Sequence, residues 1–159
     1  MPDSKEILMN RIGIRAVAVT AVALVLTGLS VSVPAEGAAR TCMGQRATIV
    51  GTGGVDTING TAGADVIVGL AGADIIRGHG GKDTICGGAG ADRIGGGAGR
   101  DRVAGGVGAD VIRGGPGADL LKGGIGADVI HGGAGADRIR GGSGSDTCFS
   151  PKHAPGCEL

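Results

Sequence analysis

The chain has 159 residues, of which 37 are glycine, five proline and one phenylalanine, with no tryptophan or tyrosine. Glycine is about three times as frequent as in an average protein, and so little aromatic volume excludes an ordinary globular enzyme core; collagen is excluded because glycine does not recur every third residue. Fifteen basic residues balance 15 acidic ones, so no whole-molecule field selects nucleic acid or an anionic membrane as partner.

Lys5, Arg11 and Arg15 precede an uncharged run from Ala16 to Val33, and small residues follow at Ala35, Gly37, Ala38 and Ala39. This order predicts a secretory signal peptide, helical in its apolar part, cleaved after Ala35 or after Ala39, with Met1 or Met9 as the start. As a membrane span the run is weakened by Gly28, its serines and Pro34. The expected division is therefore a signal peptide at 1–39, a cap strand at 40–50, a repeat region at 51–149 and a capping tail at 150–159. The mature protein is expected to be secreted and extracellular, with no stable membrane insertion.

Cys42, Cys86, Cys148 and Cys157 all follow the signal. An even count in an exported chain predicts two disulfides, and without CxxC spacing or an accompanying His or Asn a zinc site or catalytic thiol is the lesser reading.

Residues 51–149 divide without a gap into eleven nonapeptides of the form Gly-x-x-Gly-x-Asp-x-U-x, where U is aliphatic. The first glycine, the fourth-position glycine and the aspartate occur in every unit. U is Ile58, Ile67, Ile76, Ile85, Ile94, Val103, Ile112, Leu121, Ile130 and Ile139, and finally Cys148. A short fixed period means a solenoid, in which each unit contacts only its neighbours. The x-U-x triplet predicts a short strand with U inward, which explains why Arg93, Arg102, Arg113, Lys122, Arg138 and Arg140 flank U and never occupy it. The six glycine-rich residues are expected to form the turn, where a β-carbon would obstruct positive φ. Two units make a lap of 18 residues, giving an all-β parallel β-solenoid of two facing sheets about 26 Å long at the ~4.8 Å strand spacing.

In that geometry aspartates 18 apart stack. One column is Asp56, Asp74, Asp92, Asp110, Asp128 and Asp146; the other is Asp65, Asp83, Asp101, Asp119 and Asp137. At ~5 Å and an effective dielectric of 20, each neighbouring pair costs on the order of 3 kcal/mol, enough in sum to unfold a small domain. A hard divalent cation resolves the repulsion. Two carboxylates with turn carbonyls make an all-oxygen site of the kind Ca²⁺ prefers, whereas Mg²⁺ demands a smaller octahedron and keeps its water.

Units such as Gly132-Gly133-Ala134-Gly135-Ala136-Asp137-Arg138-Ile139-Arg140 resemble the repeats-in-toxin (RTX), or haemolysin-type calcium-binding, nonapeptide GGxGxDxUx. That resemblance implies a parallel β-roll with calcium held between loops of successive laps by aspartate carboxylates and backbone carbonyls, here the eleven aspartates named above. Paired within their columns they give at most nine sites. The sequence departs from the pattern at the second position of the first four units, Thr52, Thr61, Leu70 and His79, and mostly has alanine where the family often has asparagine. Toxin and protease activities of family members have no counterpart in these residues.

The flanks are expected to cap the roll. Ile49 holds the U register while Ala47 replaces the aspartate, and Pro151 and Pro155 stop the pattern. Pairing Cys42 with Cys86 and Cys148 with Cys157 avoids spanning the roll's length. His79, His131 and His153 share no metal-ligand spacing. Gly78–Asp83 lacks a phosphate-loop ending, and Asn59-Gly60-Thr61 matches a glycosylation acceptor only as a by-product of the repeat. Without aromatics for base stacking the outward arginines do not predict nucleic-acid binding. The function expected is that of a secreted, non-enzymatic calcium-binding repeat protein whose partners are calcium ions; the alternative is a small exported enzyme or effector using the roll as scaffold.

Overall fold

The computed structural model describes residues 40–149. The expected signal peptide at 1–39, its expected cleavage sites, the tail at 150–159 and Cys157 lie outside the described residues. Fourteen strands follow one another: β1 (Thr41–Cys42), β2 (Gln45–Arg46), β3 (Ile49–Val50), β4 (Thr57–Asn59), β5 (Val66–Ala71), β6 (Ile75–Gly80), β7 (Thr84–Ala89), β8 (Arg93–Ala98), β9 (Arg102–Val107), β10 (Val111–Pro116), β11 (Leu120–Ile125), β12 (Val129–Ala134), β13 (Arg138–Ser143) and β14 (Thr147–Phe149). From β3 onward they alternate between two six-stranded parallel sheets, ordered β14-β12-β10-β8-β6-β4 and β13-β11-β9-β7-β5-β3. Ile112 pairs with Ile94 and Ile130, and Leu121 with Val103 and Ile139. Each step is 18 residues, so two nonapeptides make one lap and the fold is a parallel β-roll.

The core is the U ladder. Ten residues from Ile58 to Ile139 form one buried cluster, with Ile49 and Cys148 packed against its two ends. Because strand side chains alternate, one inward aliphatic per nonapeptide closes a thin interior between the sheets.

Strands are longer than the expected triplets. Each of β5 to β13 has six residues and runs through the first three positions of the next unit, leaving three residues as the corner. The first glycine is buried inside the strand, as at Gly87 and Gly96. Positive φ belongs to the second position, as at Gly88 (121°), and commonly to the fourth, as at Gly90 (133°).

The N-terminal end departs from the repeat. β1 and β2 form an antiparallel hairpin with Thr41 opposite Arg46, joined by Met43 and Gly44, both at positive φ (49° and 82°), the conformation that suits a two-residue hairpin turn. β1 packs on β5 and β7, so the outward-facing Val68 and Thr84 are buried with Cys42. Cys42 is bonded to Cys86 with Cα atoms 5.7 Å apart. Cys148 is also disulfide-bonded; its expected partner, Cys157, is not among the described residues. Among the described residues no helix is long and apolar enough to cross a membrane.

Candidate metal centre

Each aspartate sits at a corner immediately before a strand, and its two carboxylate oxygens have different fates. Oδ1 accepts the backbone N–H of the aspartate one lap earlier: Asp56 donates to Asp74 at 2.8 Å, Asp74 to Asp92 at 2.8 Å, Asp92 to Asp110 at 2.8 Å and Asp110 to Asp128 at 2.9 Å. The second column repeats this, Asp65 donating to Asp83 and Asp101 to Asp119 at 2.9 and 2.8 Å. Meanwhile the aspartate carbonyls from Asp56 to Asp128 each accept the N–H of the first strand residue one lap on, as from Val111 to Asp92 at 2.8 Å. The corners are thus stitched lap to lap as tightly as the strands.

Oδ2 is left over. In nine aspartates, Asp74, Asp83, Asp92, Asp101, Asp110, Asp119, Asp128, Asp137 and Asp146, it is buried with no hydrogen-bond partner. From Asp74 to Asp128 these residues are at most 2% exposed, so water does not solvate them. The oxygen lies over the first glycine of its own unit. A β-carbon on Gly96 would stand 2.6 Å from Asp101 Oδ2 and 2.8 Å from the carbonyl oxygen of Gly114, one lap further on. That glycine is needed for close approach. Only hydrogen there leaves a space lined by a carboxylate and a carbonyl oxygen, and the same arrangement recurs at Gly69, Gly78, Gly87, Gly105, Gly114 and Gly123.

Burial of these carboxylates raises their affinity for protons. Desolvation pushes Asp110 and Asp119 up to about 6, opposed by the N–H bonds from Asp92 and Asp101 and reinforced by neighbouring carboxylates of the same column. Asp83, Asp92, Asp101 and Asp128 are raised for the same leading reason. Nine buried, half-satisfied carboxylates cannot all be ionised and unpaired, since each costs several kcal/mol and a domain has only ~5–15 kcal/mol of stability. Among the described residues no three His, Cys, Asp or Glu side chains converge, so the carboxylates would be joined by backbone carbonyl oxygens and water. An all-oxygen set is the chemistry of a hard cation, and the residues present fit calcium.

The four units that lack the second glycine divide into two pairs. Leu70 and His79 keep the glycine conformation, at φ 83° and 76°, and leave Asp74 and Asp83 open. Thr52 and Thr61 do not. Thr52 donates its N–H (2.6 Å) and hydroxyl (3.0 Å) to Asp56 Oδ2; Thr61 does the same to Asp65 at 2.7 and 2.9 Å. The two N-terminal aspartates are therefore already satisfied by protein donors, which sequence reading missed. The signal was a hydroxyl four residues before the aspartate, able to bond back onto the corner.

The RTX calcium-binding nonapeptide repeat family, defined on four tandem copies, matches residues 50–85, 59–94, 77–112, 87–121, 95–130 and 113–148. No curated protein and no solved structure matches the chain. The overlapping matches run from residue 50 to residue 148, more than half of the chain, over the same corners that carry the aspartate columns. The chain belongs to the RTX calcium-binding nonapeptide repeat family.

Proposed function

We propose that this protein is a secreted calcium-dependent structural module whose roll assembles outside the cell, with the two aspartate columns as its metal-binding element. The observation that carries the reading is the set of nine buried, unpartnered Oδ2 atoms, seven of them, from Asp74 to Asp128, over a glycine that leaves room beside a carbonyl oxygen. The eleven aspartates from Asp56 to Asp146 form the columns, and Asp74 to Asp146 present the open oxygens. Calcium supplies the positive charge that lets these carboxylates stay ionised in the interior. The chain's own part is to hold Oδ1 by the N–H ladder and thereby aim Oδ2, while the first glycine keeps the space clear. Without the cation, column repulsion opposes stacking; with it, stacking is cooperative because each lap is the template for the next.

The hairpin and the disulfide to Cys86 cap the N-terminal end, and the threonine-bonded Asp56 and Asp65 start the columns without metal. A millimolar extracellular calcium level suits sites of this kind. Calcium stoichiometry by isothermal titration calorimetry tests the assignment. Binding of several calcium ions, reduced by Asp92→Asn and Asp110→Asn, supports it; a stoichiometry unchanged by those substitutions overturns it.

A further inference from the structure

The roll segregates charge by side. All eleven acidic residues between 40 and 149 are column aspartates turned inward, and the same span holds eleven lysines and arginines, ten exposed and Arg102 half-buried. Charges that cancel in number do not cancel in place. Once the columns are neutralised by cations, the outer surface of this span carries basic groups with no acid among them, a consequence that rests on the calcium reading above.

On the sheet containing β8 these cations converge on a cavity. Outward residues of β8 are Arg93, Gly95 and Gly97, so the strand's centre has no side chains. Arg77 and His79 of β6 stand on one side and Arg113 of β10 on the other, in register with Gly95 and Gly97. The resulting slot has a volume of 480 Å³. The side chains of Arg77, Arg93 and Arg113 make no ion pair or hydrogen bond among the described residues, although their backbones are paired in the ladder. The fold does not require the glycine at 95: a β-carbon there meets nothing within 4 Å, and its φ is not positive. The gap is therefore not a by-product of the repeat, whose ninth position is elsewhere mostly filled by a larger side chain.

We propose that the slot over Gly95 and Gly97 binds a sulfate- or phosphate-type oxyanion through Arg77, Arg93 and Arg113. Guanidinium forks match such oxygens in geometry, and three of them around one floor supply more donors than a single carboxylate can accept. Arg77 and Arg113 are two laps apart, ~10 Å between backbones, so both reach an anion resting above Gly95. Calcium loading strengthens the site by cancelling the interior negative charge beneath it.

The test is calorimetric titration of the purified calcium-loaded chain with sodium sulfate and, separately, with dextran sulfate. Gly95→Leu fills the slot, keeps every charge and has room to fold. It should weaken binding roughly tenfold or more, as should Arg113→Gln, given the strength of charged hydrogen bonds. The Lys122→Gln/Arg140→Gln pair removes two charges from the opposite sheet and should change binding less than twofold. Gly95-sensitive binding of free sulfate assigns the slot to an isolated ion; the same sensitivity with dextran sulfate alone assigns it to ester groups along a polymer. Wild-type affinity in Gly95→Leu, or equal loss in the opposite-sheet pair, means diffuse attraction and overturns the proposal, as does absence of binding. Circular dichroism of the same samples separates the two readings: a chain that folds with calcium yet binds no anion refutes the slot alone, whereas indifference to calcium refutes the columns.

Discussion

The backbone N–H of Asp92 donates to Oδ1 of Asp110, one lap further on, at 2.8 Å. The bond gives a single carboxylate two separable tasks. Oδ1 continues the lap-to-lap ladder around the corner, and Oδ2 is left buried and unpartnered. A column of aspartates is thus both part of the backbone scaffold and a row of oxygens that stacks favourably only when its charge is answered.

The first-position glycines should be intolerant of a methyl group. In Gly96→Ala the added carbon would lie within 3 Å of Asp101 Oδ2 and of the Gly114 carbonyl, so we expect a loss of ~1–3 kcal/mol and weaker calcium binding. Gly95→Ala, next door in open space, should be neutral or stabilising by up to ~1 kcal/mol. Thermal melts in calcium of the two single variants distinguish them, and equal destabilisation would show that close approach is not what fixes the glycine.

Thr61 should hold the place of a cation. Thr61→Gly removes the hydroxyl bond to Asp65 Oδ2 (2.9 Å) and permits the conformation seen at Gly88. At pH 5 in chelator, where protons answer the column charge, the roll should lose ~1 kcal/mol, while at neutral pH the number of calcium ions bound rises by one. A calorimetric stoichiometry equal to wild type would mean that Asp65 is not closed by the threonine.

Calcium-free stability should increase as pH falls. Desolvation, opposed by the N–H bonds and aided by neighbouring carboxylates, lifts Asp110 and Asp119 from 3.8 to about 6. A group with the higher pKa in the folded state binds its proton more tightly there. Its stabilisation is therefore full below pH 3.8 and lost as pH rises through about 6. In chelator the chain, disordered at pH 7.5, should recover β structure and a cooperative melt at pH 5, and calcium affinity should drop below pH 6 as protons compete for the same oxygens. A chelated chain with the same spectrum and melt at both pH values would refute the burial of ionisable carboxylates.

Breaking the Cys42–Cys86 bridge should raise the calcium concentration needed for folding. The bridge spans 44 residues, for which the chain-entropy estimate is roughly 4 kcal/mol, and it holds the hairpin over Val68 and Thr84. A Cys42→Ser/Cys86→Ser double variant should fold to the same spectrum at higher calcium. An unshifted midpoint would show that the hairpin cap is dispensable.

The period and the columns were legible because one unit repeated eleven times leaves no freedom in which residue faces which: Ile94, Ile112 and Ile130 fall in register as the 18-residue lap requires. The pairing of Cys42 with Cys86 was legible from distance alone. The strand ends were not, because glycine at the first position reads as a turn residue, although at Gly96 its role is to make room for Asp101. The hairpin at Thr41–Arg46 was also missed; its signal, Met43-Gly44 between two polar pairs, is short beside the repeat and was read as a strand in register. The split between Thr52 and Thr61 on one hand and Leu70 and His79 on the other depends on backbone angles that residue type alone does not set.

Far-ultraviolet circular dichroism of the purified, disulfide-intact chain, titrated with Ca²⁺ after chelation and repeated with Mg²⁺ at neutral pH, reads the metal dependence of the fold. A disordered spectrum converting cooperatively to β structure with Ca²⁺, and poorly with Mg²⁺, is the expected result. A spectrum already rich in β structure in chelator and unmoved by calcium would show that the aspartate columns stack without a cation and serve another purpose.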